Sequence, residues 1–154
     1  MKTGAGETGT NEELMMAKHH KFGMKSKEHL ATVHPDLEVL CRDALYVLPF
    51  DLTVTCGARS EEDQEKAVIE GRSKVHWPHG KHNVKDGEEF ATAVDIHPYP
   101  IDFKDVRRYY MLAGAMIANA DELDISIRWG GDWNGDGTLT DQTFNDLPHF
   151  ELRS

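Results

Sequence analysis

The order in which helical and strand patterns follow one another constrains this chain most. Residues 34–48, HPDLEVLCRDALYVL, carry Leu37, Leu40, Cys41, Ala44, Leu45 and Leu48 at helical spacing, and Pro35 suits a first turn. Residues 51–57, DLTVTCG, alternate and are β-branched, which predicts a strand. Ser60 then fits an N-cap for a helix over 60–71, acidic in its first turn and stopped by Gly71. A long polar loop follows over 72–88, and residues 90–96, FATAVDI, read as a strand closed by His97-Pro98. A helix is predicted over 103–120, a short strand over 125–129, a Gly/Asp-rich loop over 130–142 and a last strand, LPHFEL, over 147–152. Helices and strands do not alternate regularly enough for a parallel sheet. The expected class is α+β, a mostly antiparallel sheet flanked by helices, in one domain over 22–154. Residues 1–21, rich in Gly, Thr and Glu and without periodicity, read as a flexible leader.

Charge and hydropathy exclude some roles. The 154-residue chain has a formal net charge of −10, which repels a phosphate backbone and sets nucleic acid aside. No apolar run approaches the length needed to span a bilayer, so no membrane insertion is expected. The first residues hold no apolar stretch that could form a signal-peptide core. The expectation is a monomer made in a cytoplasm and acting elsewhere only after release. Free thiols are then the default for Cys41 and Cys56, and both read as small core residues.

Nine histidines in such a chain invite a search for a metal site. A hydrolytic zinc centre needs three His, Asp or Glu ligands, an open position, and a nearby carboxylate that takes a proton from water. Two regions carry those residue types in strand or strand-edge settings. One is Gly80-Lys81-His82 with ATAVDIHPYP over 91–100; the other is NDLPHFEL over 145–152. Asp95 lies between Val94 and Ile96, where a buried acid is costly unless paired or metal-bound. Asp146 precedes His149 by three residues, and Glu151 projects from the same strand face as His149.

These segments resemble a known family, the D-alanyl-D-alanine carboxypeptidases and L-alanyl-D-glutamate endopeptidases, phage endolysins among them. The resemblance rests on Lys81-His82, Ala93-Val94-Asp95, Pro98-Tyr99-Pro100, Gly130-Gly131-Asp132-Trp133 and Pro148-His149-Phe150-Glu151-Leu152, together with KFGMKSKEHLATVHPDL and GARSEEDQEKAVIEG. It spans residues 22–154. It implies a hedgehog/D-Ala-D-Ala-peptidase-like zinc fold, with His82, Asp95 and His149 as zinc ligands and Asp146 as catalytic acid/base. It further implies that Arg59 grips a substrate carboxylate, a role suited to a planar fork donor. Two departures stand out: Gly80 replaces the usual Ser, and VKDGEEF lengthens the stretch between His82 and Asp95.

The implied function is a zinc metallopeptidase that cuts peptidoglycan stem peptides at L-Ala–D-Glu in the manner of a phage endolysin. Two alternatives differ: a D-Ala-D-Ala carboxypeptidase, and a non-catalytic zinc-stabilised cell-wall binding module. Plainer readings exist for each residue: a solvated loop histidine for His82, a core histidine for His149, a turn residue for Asp146 and a surface ion pair for Arg59. His76 and His79 read as loop histidines because Pro78 prevents a helical display, and His97 as a pocket or surface residue. Asp132, Asn134 and Asp136 match the first half of a calcium loop, whose twelfth position here is Thr143 rather than Glu. The competing reading is an Asx-rich turn.

Overall fold

The structure, a computed structural model, describes residues 20–154. The leader expected over 1–21 therefore lies outside the described residues, apart from the exposed His20 and Lys21. Among the described residues, four helices and four strands follow in the order α1 (Met24–Leu30), α2 (Pro35–Val47), β1 (Asp51–Cys56), α3 (Glu61–Ile69), β2 (Ala93–Tyr99), α4 (Val106–Glu122), β3 (Ile127–Gly130) and β4 (Asp146–Leu152). The strands form one sheet in the order β1-β2-β4-β3, antiparallel at every pairing. This is the α+β arrangement that the irregular element order predicts.

Local chemistry sets the element ends. Pro35 opens α2, and the His34 ring accepts from the Asp36 amide at 3.1 Å. Ser60 caps α3, its hydroxyl accepting from the Asp63 amide at 3.2 Å. Gly71 follows α3 with φ of +76°, a left-handed turn that a side chain would strain. The strand expected to close at His97-Pro98 continues to Tyr99, with Pro98 opposite Leu52 of β1. β4 pairs only with residues 93–95 of β2, so at Pro98 the strand has a free side and its missing N–H breaks no ladder bond.

Strand alternation divides the sheet into two faces. Val54, Val94, Ile96 and Phe150 point to one face and meet Leu37 and Leu40 of α2 and Leu112 and Met116 of α4 in the core. Each such buried aliphatic or aromatic side chain contributes about 1.5–3 kcal/mol. The opposite face receives Asp95 and His97 from β2 and His149 and Glu151 from β4. No helix among the described residues is long and apolar enough to cross a membrane.

Candidate active site

The polar face of the sheet gathers the titratable side chains. In the β2–β4 register Asp95 stands opposite His149, and in the β1–β2 register Cys56 stands opposite Asp95. His82 reaches them from the long loop, which backbone bonds pin on both sides. The Arg59 amide donates to the His82 carbonyl at 2.8 Å, and the Thr92 amide to the Lys81 carbonyl at 2.9 Å.

Three donor atoms converge there. His82 Nε2, Asp95 Oδ1 and His149 Nδ1 are mutually 3.2 Å apart. Tetrahedral zinc ligands at about 2.0–2.1 Å from the metal would lie about 3.3 Å from one another. The outer ring atoms are engaged: His82 Nδ1 bonds the Gly57 carbonyl at 2.8 Å, and His149 Nε2 bonds Glu151 Oε1 at 3.2 Å. Once those nitrogens donate outward, both neutral rings turn lone pairs inward toward a carboxylate oxygen. A triangle of three acceptors holds together only around a cation. Outward bonds of this kind orient metal-binding imidazoles. Cys56, His82 and Asp95 also lie close enough to share an ion, as do Asp95, Asp146 and His149. Cys56 Sγ, however, sits 3.6 Å from His82 Nδ1, the nitrogen already turned to Gly57, and so on the outer edge of the ring.

Burial and charge tune the cluster. Burial alone would favour neutral His82, but the adjacent Asp95 carboxylate outweighs it and raises the imidazole to about 10. Burial opposes charge on Asp95 as well, yet His82 and His149 hold it well below the usual carboxylate range. His149 is raised against its burial by Asp95 and Glu151. Asp146 behaves differently: burial, then the Asp95 charge, push its carboxyl up. Its Oδ2 lies 4.0 Å from His149 Nδ1, beside the triangle rather than within it.

Arg59 lines the same cavity of about 620 Å³, 3.7 Å from Asp95 Oδ2. Its guanidinium donates to Gln64 Oε1 at 3.1 Å, and the buried Gln64 also accepts from Asn83 Nδ2 at 3.1 Å. Asn83 Oδ1 in turn accepts from the Gly80 amide at 2.8 Å. A Cβ on Gly80 would stand 2.7 Å from Asn83 Oδ1 and 3.0 Å from Gln64 Oε1. Glycine at this position leaves room for the carboxamide network that ties Arg59 to the His82 loop. Trp133 walls the cavity, its ring centroid 5.4 Å from that of His149.

The family model for phage L-alanyl-D-glutamate peptidases matches residues 18–153. The L-alanyl-D-glutamate peptidase of Escherichia phage T5 is 33% identical over 126 residues, which cover 79% of this chain and 88% of that protein. The chain belongs to the phage L-alanyl-D-glutamate peptidase family. Among solved structures, the Serratia marcescens L-Ala D-Glu endopeptidase ChiX superposes with a TM-score of 0.69 at 29% identity, over 89% of this chain and 92% of that one. The protein is thus a peptidase with the fold of that group.

Within this peptidase the structure brings His82, Asp95, His149, Asp146 and Arg59 to one cavity. His97 lines it too, but its ring is taken by the Tyr109 hydroxyl at 2.7 Å and the Thr55 hydroxyl at 3.1 Å, and burial lowers its pKa. His76 pairs with Glu65 on the surface at 2.8 Å. Cys41 is a buried core thiol as expected, whereas Cys56 is not a core residue: the bulge between Val54 and Cys56 turns it to the site face. The calcium reading gains no support. Asp132 Oδ2 accepts from the Gly137 amide at 2.9 Å and Asp136 Oδ1 from the Thr138 amide at 2.8 Å, as in an Asx-rich turn, which leaves Asp132 Oδ1 the one buried, unpartnered oxygen there. Sequence reasoning missed the supports Gln64, Asn83 and the Gly57 carbonyl, none of which carries a motif signal. It placed Glu151 only on the strand face of His149, yet Glu151 bridges His149 to Arg128, 3.2 Å away.

Proposed function

We propose that this chain is a zinc endopeptidase that hydrolyses the L-Ala–D-Glu bond of peptidoglycan stem peptides, acting on the wall as an endolysin after release from a host cytoplasm. The observation that carries the reading is the triangle of His82 Nε2, Asp95 Oδ1 and His149 Nδ1, all 3.2 Å apart, with each imidazole anchored on its far side. The donor set of two imidazoles and one carboxylate suits zinc and leaves a fourth position open. Bound there, zinc would supply an activated water near neutral pH and polarise the scissile carbonyl. Asp146 accepts the proton of the attacking water and returns it to the departing amine of D-Glu. Its raised pKa suits both halves of that exchange. Arg59, fixed by Gln64, offers its remaining donors to a substrate carboxylate.

Digestion of purified peptidoglycan, followed by mass analysis of the new termini, tests the bond directly. New N-terminal D-Glu is the expected product, and release of D-Ala alone would assign a carboxypeptidase instead. His149→Ala is expected to lose zinc and activity together. One tightly bound zinc in that variant would remove His149 from the ligand set.

A further inference from the structure

The active-site cavity does not end at the metal cluster. Lys81, Arg128, Trp133 and Glu151 line it and also line an adjoining hollow of about 390 Å³. On a chain of net charge −10, this hollow collects three cations, Lys81, Arg128 and Arg153. Glu151 is the only acidic side chain among its described lining residues, and it is already engaged by His149 and by Arg128. Arg128 therefore keeps donors to spare, and its Nε is buried without a partner among the described residues. The guanidinium lies 5.6 Å from the Trp133 ring centroid, which holds it at the mouth between the two spaces.

The sheet order gives the hollow its place relative to the chemistry. Arg59 follows β1 at one edge of the sheet, Arg128 lies on β3 at the other, and two donors of the triangle, Asp95 and His149, stand between them on β2 and β4. Cations thus flank the reaction centre on two sides, and Arg59 alone does not account for them. Taking the peptidase reading above as its basis, we propose that the hollow formed by Lys81, Arg128, Arg153 and Trp133 is a subsite for a second substrate carboxylate, borne by the side chain of the residue that follows D-Glu. A planar guanidinium with free donors and two ammonium or guanidinium neighbours suits a carboxylate and repels a side chain ending in an amine alone. The Trp133 face covers the aliphatic part of such a side chain.

The zinc-loaded protein should be given two N-acyl-L-Ala-γ-D-Glu-X peptides in which X is diaminopimelate with its side-chain carboxyl free or as the carboxamide. The free carboxylate is expected to be favoured in kcat/KM by about tenfold or more, chiefly through KM. Replacing Lys81 and Arg153 together by Met should shrink that ratio to below about threefold, with zinc content near one per chain as the check on folding. Lys81→Gln with Arg153→Gln serves if the Met pair folds poorly, and the wild-type ratio tests the idea without any variant. Equal cleavage of both peptides, or a ratio that the double variants leave unchanged, overturns the subsite while the peptidase reading stands. If the wild type cuts neither peptide nor purified peptidoglycan, the peptidase reading fails and the subsite with it.

Discussion

At the scale of single residues, the site places its two aspartates in different surroundings, which suits the proposed division between metal ligand and proton acceptor. Asp95 is locked between two histidines and kept ionised, whereas Asp146 sits apart with its pKa raised. Asp146→Asn keeps size and shape but cannot accept a proton, so turnover should fall about 10²–10⁴-fold. Zinc content should stay near one per chain. Loss of zinc would make Asp146 a ligand, and full activity would make it a turn residue. Glu151 acts one bond further out. It is buried, held in its charged form by His149 and Arg128 despite that burial, and bonded to the His149 nitrogen that faces away from the triangle. Glu151→Gln should weaken zinc binding about 10–100-fold, as removal of such an orienting partner does elsewhere. Competition against a chelator of known affinity measures it, and unchanged affinity would reduce Glu151 to a packing role.

At the scale of elements, the β3–β4 pairing delivers Asp146. The register shifts between Trp129 and Gly130, so that Gly130 meets Asp146 instead of His149, the partner that the preceding pairs would give it. A Cβ on Gly130 would approach the Asp146 carbonyl oxygen to 2.1 Å and its Cβ to 3.0 Å. Gly130→Ala must therefore push the Asp146 end of β4 aside. A destabilisation of about 1–3 kcal/mol is expected, with turnover lost and the zinc triangle, three residues further on, retained. Denaturant melts and metal analysis would check it, and wild-type turnover would show that the position of Asp146 is not critical. The elements also show what a sequence can convey. Strands were legible where apolar residues flanked a lone ionisable one, as at Asp95 and His149, because side-chain alternation assigns faces without further information. Helix α1 was not. Of its seven residues only Ser26 and Leu30 are buried, and Ser26 fastens the helix by accepting from the Val54 amide at 3.0 Å. A polar anchor leaves no apolar period to read. Arg59 was singled out through the resemblance of its segment, but the Gln64–Asn83–Gly80 network behind it was not legible, since it joins positions that meet only after folding.

At the scale of the whole molecule, the proposed metal and the fold should be separable. The core lies on the helix-covered face of the sheet and the donor triangle on the other, so a chelated protein should keep its secondary structure while losing activity. The stabilisation that zinc adds should depend on pH, with a sign set by the two histidines. Without metal, His82 is raised to about 10 and His149 is raised as well, both above their ordinary value. Proton binding at His82 therefore supports the metal-free fold fully below about pH 6.5, and that support is lost as pH rises through about 10. Asp95, held well below its ordinary value, keeps its part of the cluster until strongly acidic pH. Zinc must displace the inner protons, so acid weakens its binding while preserving the metal-free alternative. Both effects act in one direction. At a fixed zinc excess, the rise in Tm over the chelated protein should be small near about pH 6 and larger near about pH 8. Scanning calorimetry across that range decides it. An equal or larger rise at the acidic end would mean that zinc displaces no protons from His82 and His149, and the ligand set would be wrong. A chain that unfolds on chelation at every pH would instead be a metal-stabilised binding module.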